Sequence, residues 1–251
     1  MVPRDVVKLA FQYQQTEHVP YCFPVSPEQG DALSRHYGSP SWRDRVVPYV
    51  GHIWGVDNFL SLAGMTEQPD GAKRDCLGCS WLLGSTHHLV DWPLHEPAMG
   101  NYTLPPIKPY YENYLLPRWP PDIAGTEGKF RVIGHSFGLF ERAWSLRGFE
   151  NFLMDLVEHE RFAEELLDHI TEWVLDSVDQ MAAAPVDAIM LTDDHAGQRG
   201  LLMGSARWRR YFKPRWKRIF GRVHHYGLYT VMHMCGDTSV VLGDLIDIGL
   251  D

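Results

Sequence analysis

Cysteine is scarce in this chain of 251 residues: Cys22, Cys76, Cys79 and Cys235 are the whole complement, too few for a disulfide framework. No stretch approaches the roughly 20 uninterrupted apolar residues of a membrane-spanning helix. The opening MVPRDVVKLAFQYQQ also lacks the apolar centre of a signal peptide, so the expected setting is the cytoplasm, with no membrane partner. Excess positive charge is missing too. With 32 acidic against 23 basic residues, a net charge of −9 and a pI of about 5.8, the chain is a poor general binder of polyanions, and no nucleic-acid partner is expected. Internal repeats, low-complexity tracts and linkers are absent, and the 45% hydrophobic content suffices for one sizeable core. Residues 1–251 therefore read as a single domain.

One basic run stands against the acidic average, with Arg207, Arg209, Arg210, Lys213, Arg215, Lys217, Arg218 and Arg222 free of intervening acids. Trp208, Tyr211, Phe212, Trp216, Ile219, Phe220 and Val223 recur among them at helical spacing, which makes the cations the solvated face of an amphipathic helix. Ser205 is a candidate N-cap, and Pro214 should bend or split this helix.

Periodicity organises the rest. Phe162, Leu166, Ile170, Trp173, Val174, Val178 and Met181 form one stripe, predicting a helix from Glu160 to Met181. Phe130–Gly134, Val186–Thr192 and Leu228–His233 have the length and flanks of buried strands, and a further helix opens at Asp237 and ends at Gly249. Strand and helix alternate through this half, which implies parallel strands covered by helices. Earlier, Arg4–Gln14 reads as a helix, Val19–Val25 as a strand and Arg74–His88 as a β-hairpin. The Pro-, Tyr- and Trp-rich residues Asp91–Asp122 read as a long excursion over the fold.

Two clusters carry candidate chemistry. His233 and Cys235 stand one residue apart at a strand end, so both side chains point to one side, and imidazole and thiolate are natural zinc ligands. Chance alone gives roughly 0.2 such pairs in a chain of this composition; the placement before Gly236-Asp237 and a helix start is what adds weight. The alternative is a buried polar pair at a strand end. Asp193 and Asp194 follow a strand directly, so at least one should face the mouth of the sheet while the other bonds to loop amides or a neighbouring cation; the pair is suited to acid–base work or to orienting a substrate, or simply to capping the loop. His135 ends the preceding strand and is a further candidate, with Glu141 and Arg147 behind it on a helix and Gln198 beyond His195 as candidate substrate contacts. Cys76-Leu-Gly-Cys79 lacks a second pair and a redox context, so packing explains it better than metal.

The segments Ile133-Gly-His-Ser-Phe-Gly-Leu-Phe140, Leu146-Arg-Gly-Phe149, Thr192-Asp-Asp-His-Ala-Gly-Gln-Arg-Gly200 and His233-Met-Cys-Gly-Asp237 resemble, in order, the uroporphyrinogen decarboxylase superfamily. Pro3-Arg-Asp-Val and His18-Val-Pro20 resemble its opening. The resemblance implies an α/β fold, a (β/α)8 TIM barrel incomplete at its C-terminus, since family members begin another strand where this chain stops. It implies a site in which His233 and Cys235 bind zinc, as in the cobalamin-dependent methyltransferase branch, where a later cysteine completes the set. The function so implied is methyl transfer from a corrinoid, brought by a carrier protein, to a zinc-activated small-molecule thiol. The alternatives are a tetrapyrrole decarboxylase, whose N-terminal Arg-Gln-Ala-Gly-Arg signature has no match between Val19 and Gly51, and a non-catalytic barrel or binding module.

Overall fold

A computed structural model describes residues 1–23, 25–46, 48–56, 64–84 and 87–251. It opens with helix α1 (Pro3–Phe11), with proline in its first turn, and α2 (Pro27–His36). In α2 the Ser26 hydroxyl and the Gln29 side chain each accept the other's backbone amide, a reciprocal cap that fixes the helix start. No strand forms over residues 19–23, and Pro24 lies outside the described residues. The first strand is instead β1 (Val50–Val56). Gly51, His52 and Gly55 interrupt its apolar pattern, which is why the sequence did not mark it. A Cβ on Gly55 would sit 1.9 Å from the Gly134 carbonyl oxygen, so glycine is required for this strand to lie against its neighbour.

The expected hairpin is part of a larger antiparallel meander, β2 (Thr66–Glu67), β3 (Lys73–Arg74), β4 (Ser80–Leu82) and β5 (His88–Asp91). Its tight turn is organised by buried Asp75, which accepts the amides of Leu77 and Cys79 and the Trp81 indole N–H. The excursion that follows carries short helical turns, α3 (Lys108–Tyr110) and α4 (Trp119–Ala124), and buries Tyr111 and Leu115.

The centre of the molecule is a parallel sheet in the order β1, β6 (Phe130–His135), β7 (Ala188–Thr192) and β10 (Tyr229–His233). Helices α5 (Phe140–Arg147), α6 (Phe149–Glu158) and α7 (Glu160–Met181) link β6 to β7. The small hairpin β8 (Ala196–Gly197) and β9 (Gly200–Leu201), then α8 (Ser205–Tyr211) and α9 (Lys213–His225), link β7 to β10, and α10 (Ser239–Asp247) follows. The three strands expected to be parallel are parallel, and they lie side by side.

Alternation along each strand divides the sheet into two faces. Ile133, Ile189 and Leu191 join the large core beneath the helices, where Phe162, Leu166, Ile170, Val174 and Val178 of α7 are also buried. Phe130, Val132 and Ala188 face the other way and pack with Val7, Phe11 and Tyr229. Helix α1 is held across the start of this second face by Asp187, which receives Arg4 at 2.9 and 3.0 Å and Lys8 at 3.0 Å.

Two local expectations need correction. Ser205 is the first residue of α8 rather than its cap; Gly204, at φ +76°, holds the cap position, a backbone shape serine adopts only with strain. The basic stripe is more than a solvated face. Arg209 and Lys213 pair with Asp244, Arg215 with Asp168, Arg218 with Glu172 and Arg222 with Asp179, so most of these acids lie on α7. The opposite charges of α7 and α9 meet along a common seam, and Pro214 does split α8 from α9. No helix among the described residues is long and apolar enough to cross a membrane.

Candidate metal centre at the strand ends

The two aspartates after β7 diverge because the strand alternates. Asp193 continues the face beneath the helices and is fully buried. Its Oδ2 accepts the amides of Leu139 and Phe140, both at 2.9 Å, and its Oδ1 accepts the amide of Glu141 at 2.8 Å. These are the unsatisfied donors at the start of α5, so the carboxylate caps that helix from across the sheet. His195 Nε2 also bonds to Asp193 Oδ2, and His195 Nδ1 accepts the Trp208 indole N–H at 2.6 Å. With Nδ1 occupied as an acceptor, the ring proton belongs on Nε2, where it is donated to Asp193. The relay runs from α8 to α5 and fixes the end of β7.

Asp194 takes the other direction. Its Oδ1 accepts the Cys235 amide at 2.7 Å and lies 3.9 Å from His233 Nε2, which is 3.3 Å from Cys235 Sγ. One ligand atom from each of Asp194, His233 and Cys235 lies within 4.8 Å of the others. His233 shares its face with Thr192, its register partner on β7. The turn after Cys235 is held down by the Asp237 amide, which donates to the Gly197 carbonyl at 2.9 Å. Gly236 makes this approach possible: its φ is +85°, and a Cβ there would meet the Ala196 carbonyl oxygen at 2.4 Å. The sequence His-Met-Cys-Gly-Asp thus combines two donor side chains with a turn that only glycine fits.

Glu141, at the start of α5, completes the cluster, and the Asp194 amide donates to its carboxyl. Burial, reinforced by the charges of Asp193 and Asp194, pushes the Glu141 carboxyl up to about 8. The Cys235 thiol is also pushed up, first by its contact with Asp194 and that group's charge, then by burial and by Glu141. The surroundings therefore disfavour a free thiolate.

The other sequence candidates lie elsewhere. His135 is fully buried on the helix-facing side of β6, where Nδ1 is 2.8 Å from Ser177 Oγ and the ring packs edge-on to Trp173; alternation sends it away from the cluster. Burial and the Arg142 charge push it down to about 3, so it is neutral. Arg147 lies about two turns along α5, bonded to Asp155 at 2.7 Å and to the carbonyls of Leu94 and His95, so its guanidinium braces a loop. Gln198 is exposed in the turn between β8 and β9. Cys79 is buried with its thiol on the Ser145 carbonyl at 3.0 Å, whereas Cys76 is exposed. The two cysteines thus have opposite surroundings. His195 and Trp208 had no local sequence signal as a pair, because thirteen residues separate them and only the fold brings them together.

The profile of the uroporphyrinogen decarboxylase (URO-D) family matches residues 123–251, the half of the chain that carries β6, β7, β10 and every residue of the cluster. The chain belongs to the uroporphyrinogen decarboxylase family. Among solved structures, a methyltransferase from Methanosarcina mazei is similar in fold, with a TM-score of 0.70 at 16% sequence identity, over 100% of this chain and 74% of that one. No curated protein matches.

Proposed function

We propose that the chain is a methyltransferase-type member of the family, which moves a methyl group from a corrinoid to a small-molecule thiol held on zinc. The observation that carries this reading is the approach of imidazole, thiol and carboxylate donors at the carboxyl ends of parallel strands, where α/β enzymes of this kind place their chemistry. The donor set suits zinc, since nitrogen, sulfur and oxygen ligands in tetrahedral array stand about 3–4 Å apart, close to the separations of 3.3 and 3.9 Å. Zinc bound there supplies Lewis acidity that makes a coordinated thiol available as thiolate at neutral pH. His233 and Cys235 would hold the ion, and Glu141 would hold a proton beside it. The fold shared with a methyltransferase supports the reading. A corrinoid carrier protein is the partner this chemistry calls for, and a reducing cytoplasm is the compartment that suits a chain with only four cysteines.

The family match itself favours a second reading, tetrapyrrole decarboxylation. That reaction needs cations for the substrate carboxylates. The cluster presents acids instead, and Arg43, an arginine of the stretch between Val19 and Gly51, is bonded to Ser34 of α2. Metal analysis separates the two readings. The full-length protein should carry close to one zinc per chain, and Cys235→Ala should abolish it with the circular dichroism unchanged. Stoichiometric zinc retained by Cys235→Ala would show that the site lies elsewhere.

A further inference from the structure

We infer that Asp194 is itself a metal ligand, so that this chain offers an oxygen–nitrogen–sulfur triad from two adjacent strand ends. The inference rests on the zinc reading above but not on methyl transfer. Asp194 Oδ1 lies 3.9 Å from His233 Nε2, and the ligand atoms of all three residues fall within 4.8 Å of one another. This is the spacing a small cation draws together with modest side-chain rotation.

Two features independent of that spacing aim the carboxylate. Asp193, held by three amides of α5 and by His195, fixes the backbone so that the next side chain must leave on the opposite face. From the other side, the Cys235 amide donates to Asp194 Oδ1 at 2.7 Å. A carboxylate oxygen has two lone pairs, so it can accept this amide and still bind metal. The contact ties the Asp194 rotamer to the strand end that bears the other two ligands. A carboxylate carries the same charge as a second thiolate but donates less electron density to the ion, and so would leave it a stronger Lewis acid.

Zinc and cobalt(II) alone are the probes. Zinc affinity, from competition with a chromophoric chelator, should fall about 100-fold in Asp194→Asn, because a charged ligand is lost. The cobalt(II) d–d bands should change shape while the Cys235 thiolate-to-cobalt band persists. A merely positioning role for Asp194 would also lower affinity, so a second variant decides. Asp194→Cys should add a second thiolate and roughly double the charge-transfer intensity. Unchanged charge-transfer intensity in a folded Asp194→Cys protein overturns the inference and leaves the His233–Cys235 site standing. Wild-type protein that takes up neither metal overturns the zinc reading as a whole.

Discussion

Replacing Asp193 tests whether the carboxylate that accepts three α5 amides holds the strand end in place. Hydrogen bonds to a charged group contribute about 1.5–3 kcal/mol each. The three amide bonds do not add fully, since water and backbone relaxation recover part of the loss. Removing one partner of a buried charged contact costs about 3–5 kcal/mol. We expect Asp193→Ala to destabilise by about 4–5 kcal/mol and Asp193→Asn, which keeps one carbonyl oxygen for the amides, by about 2–3 kcal/mol. For a domain of this size each kcal/mol lowers the melting temperature by roughly 2–4 °C, so the alanine variant should melt roughly 10–15 °C early. Asp194→Ala is the control. That half-buried side chain serves a single amide at an exposed residue, and its loss should cost about 1 kcal/mol or less. Urea unfolding followed by circular dichroism, in metal-free protein, measures all three. Equal destabilisation at the two positions, or a wild-type midpoint in Asp193→Ala, would refute the division of labour.

Stability should depend on pH through half-buried Glu141 and buried His135, which act in opposite directions. Glu141 is raised from 4.5 to about 8, so the folded state binds its proton more tightly; its contribution is full below pH 4.5 and is lost as pH rises to about 8. His135 is lowered from 6.5 to about 3, so its contribution is full above pH 6.5 and is lost as pH falls toward about 3. In chelator-treated protein Glu141→Gln should flatten the loss above neutrality and His135→Asn the loss on the acid side; a Glu141→Gln protein that still weakens between pH about 6.5 and about 8 would assign that limb to another group. Gly236→Ala should reduce zinc affinity and cost about 1–3 kcal/mol in unfolding free energy, because the turn must move off the Ala196 carbonyl; unaltered zinc affinity would show that the turn does not set the geometry of Cys235.

Much of this architecture was legible because it rests on periodicity. The stripe from Phe162 to Met181 gave α7 its full extent, and Pro214 marked the break between α8 and α9. Residues Val50–Val56 were not legible as a strand, since their glycines serve a close contact with Gly134 that exists only once the sheet has formed. The same limit applied at the site. His233 and Cys235 were visible from their spacing, and the opposed directions of Asp193 and Asp194 followed from alternation. Which aspartate went which way depended on register, as did the turning of His135 toward α7. The Asp193–His195–Trp208 relay joins a loop to a later helix, and no local pattern announces such a contact.

The opposed directions of Asp193 and Asp194 also shape how such a site can evolve. Chemically the two residues are identical, yet the fold places them under unlike structural constraints. A change at Asp193 is paid in folding whatever the protein does, so drift there is closed. On the zinc reading proposed above, a change at Asp194 would leave the strand end anchored and alter only which donor reaches the ion. A lineage can therefore exchange that donor, and with it the metal preference or the reaction, while inheriting its scaffold intact from the residue next door.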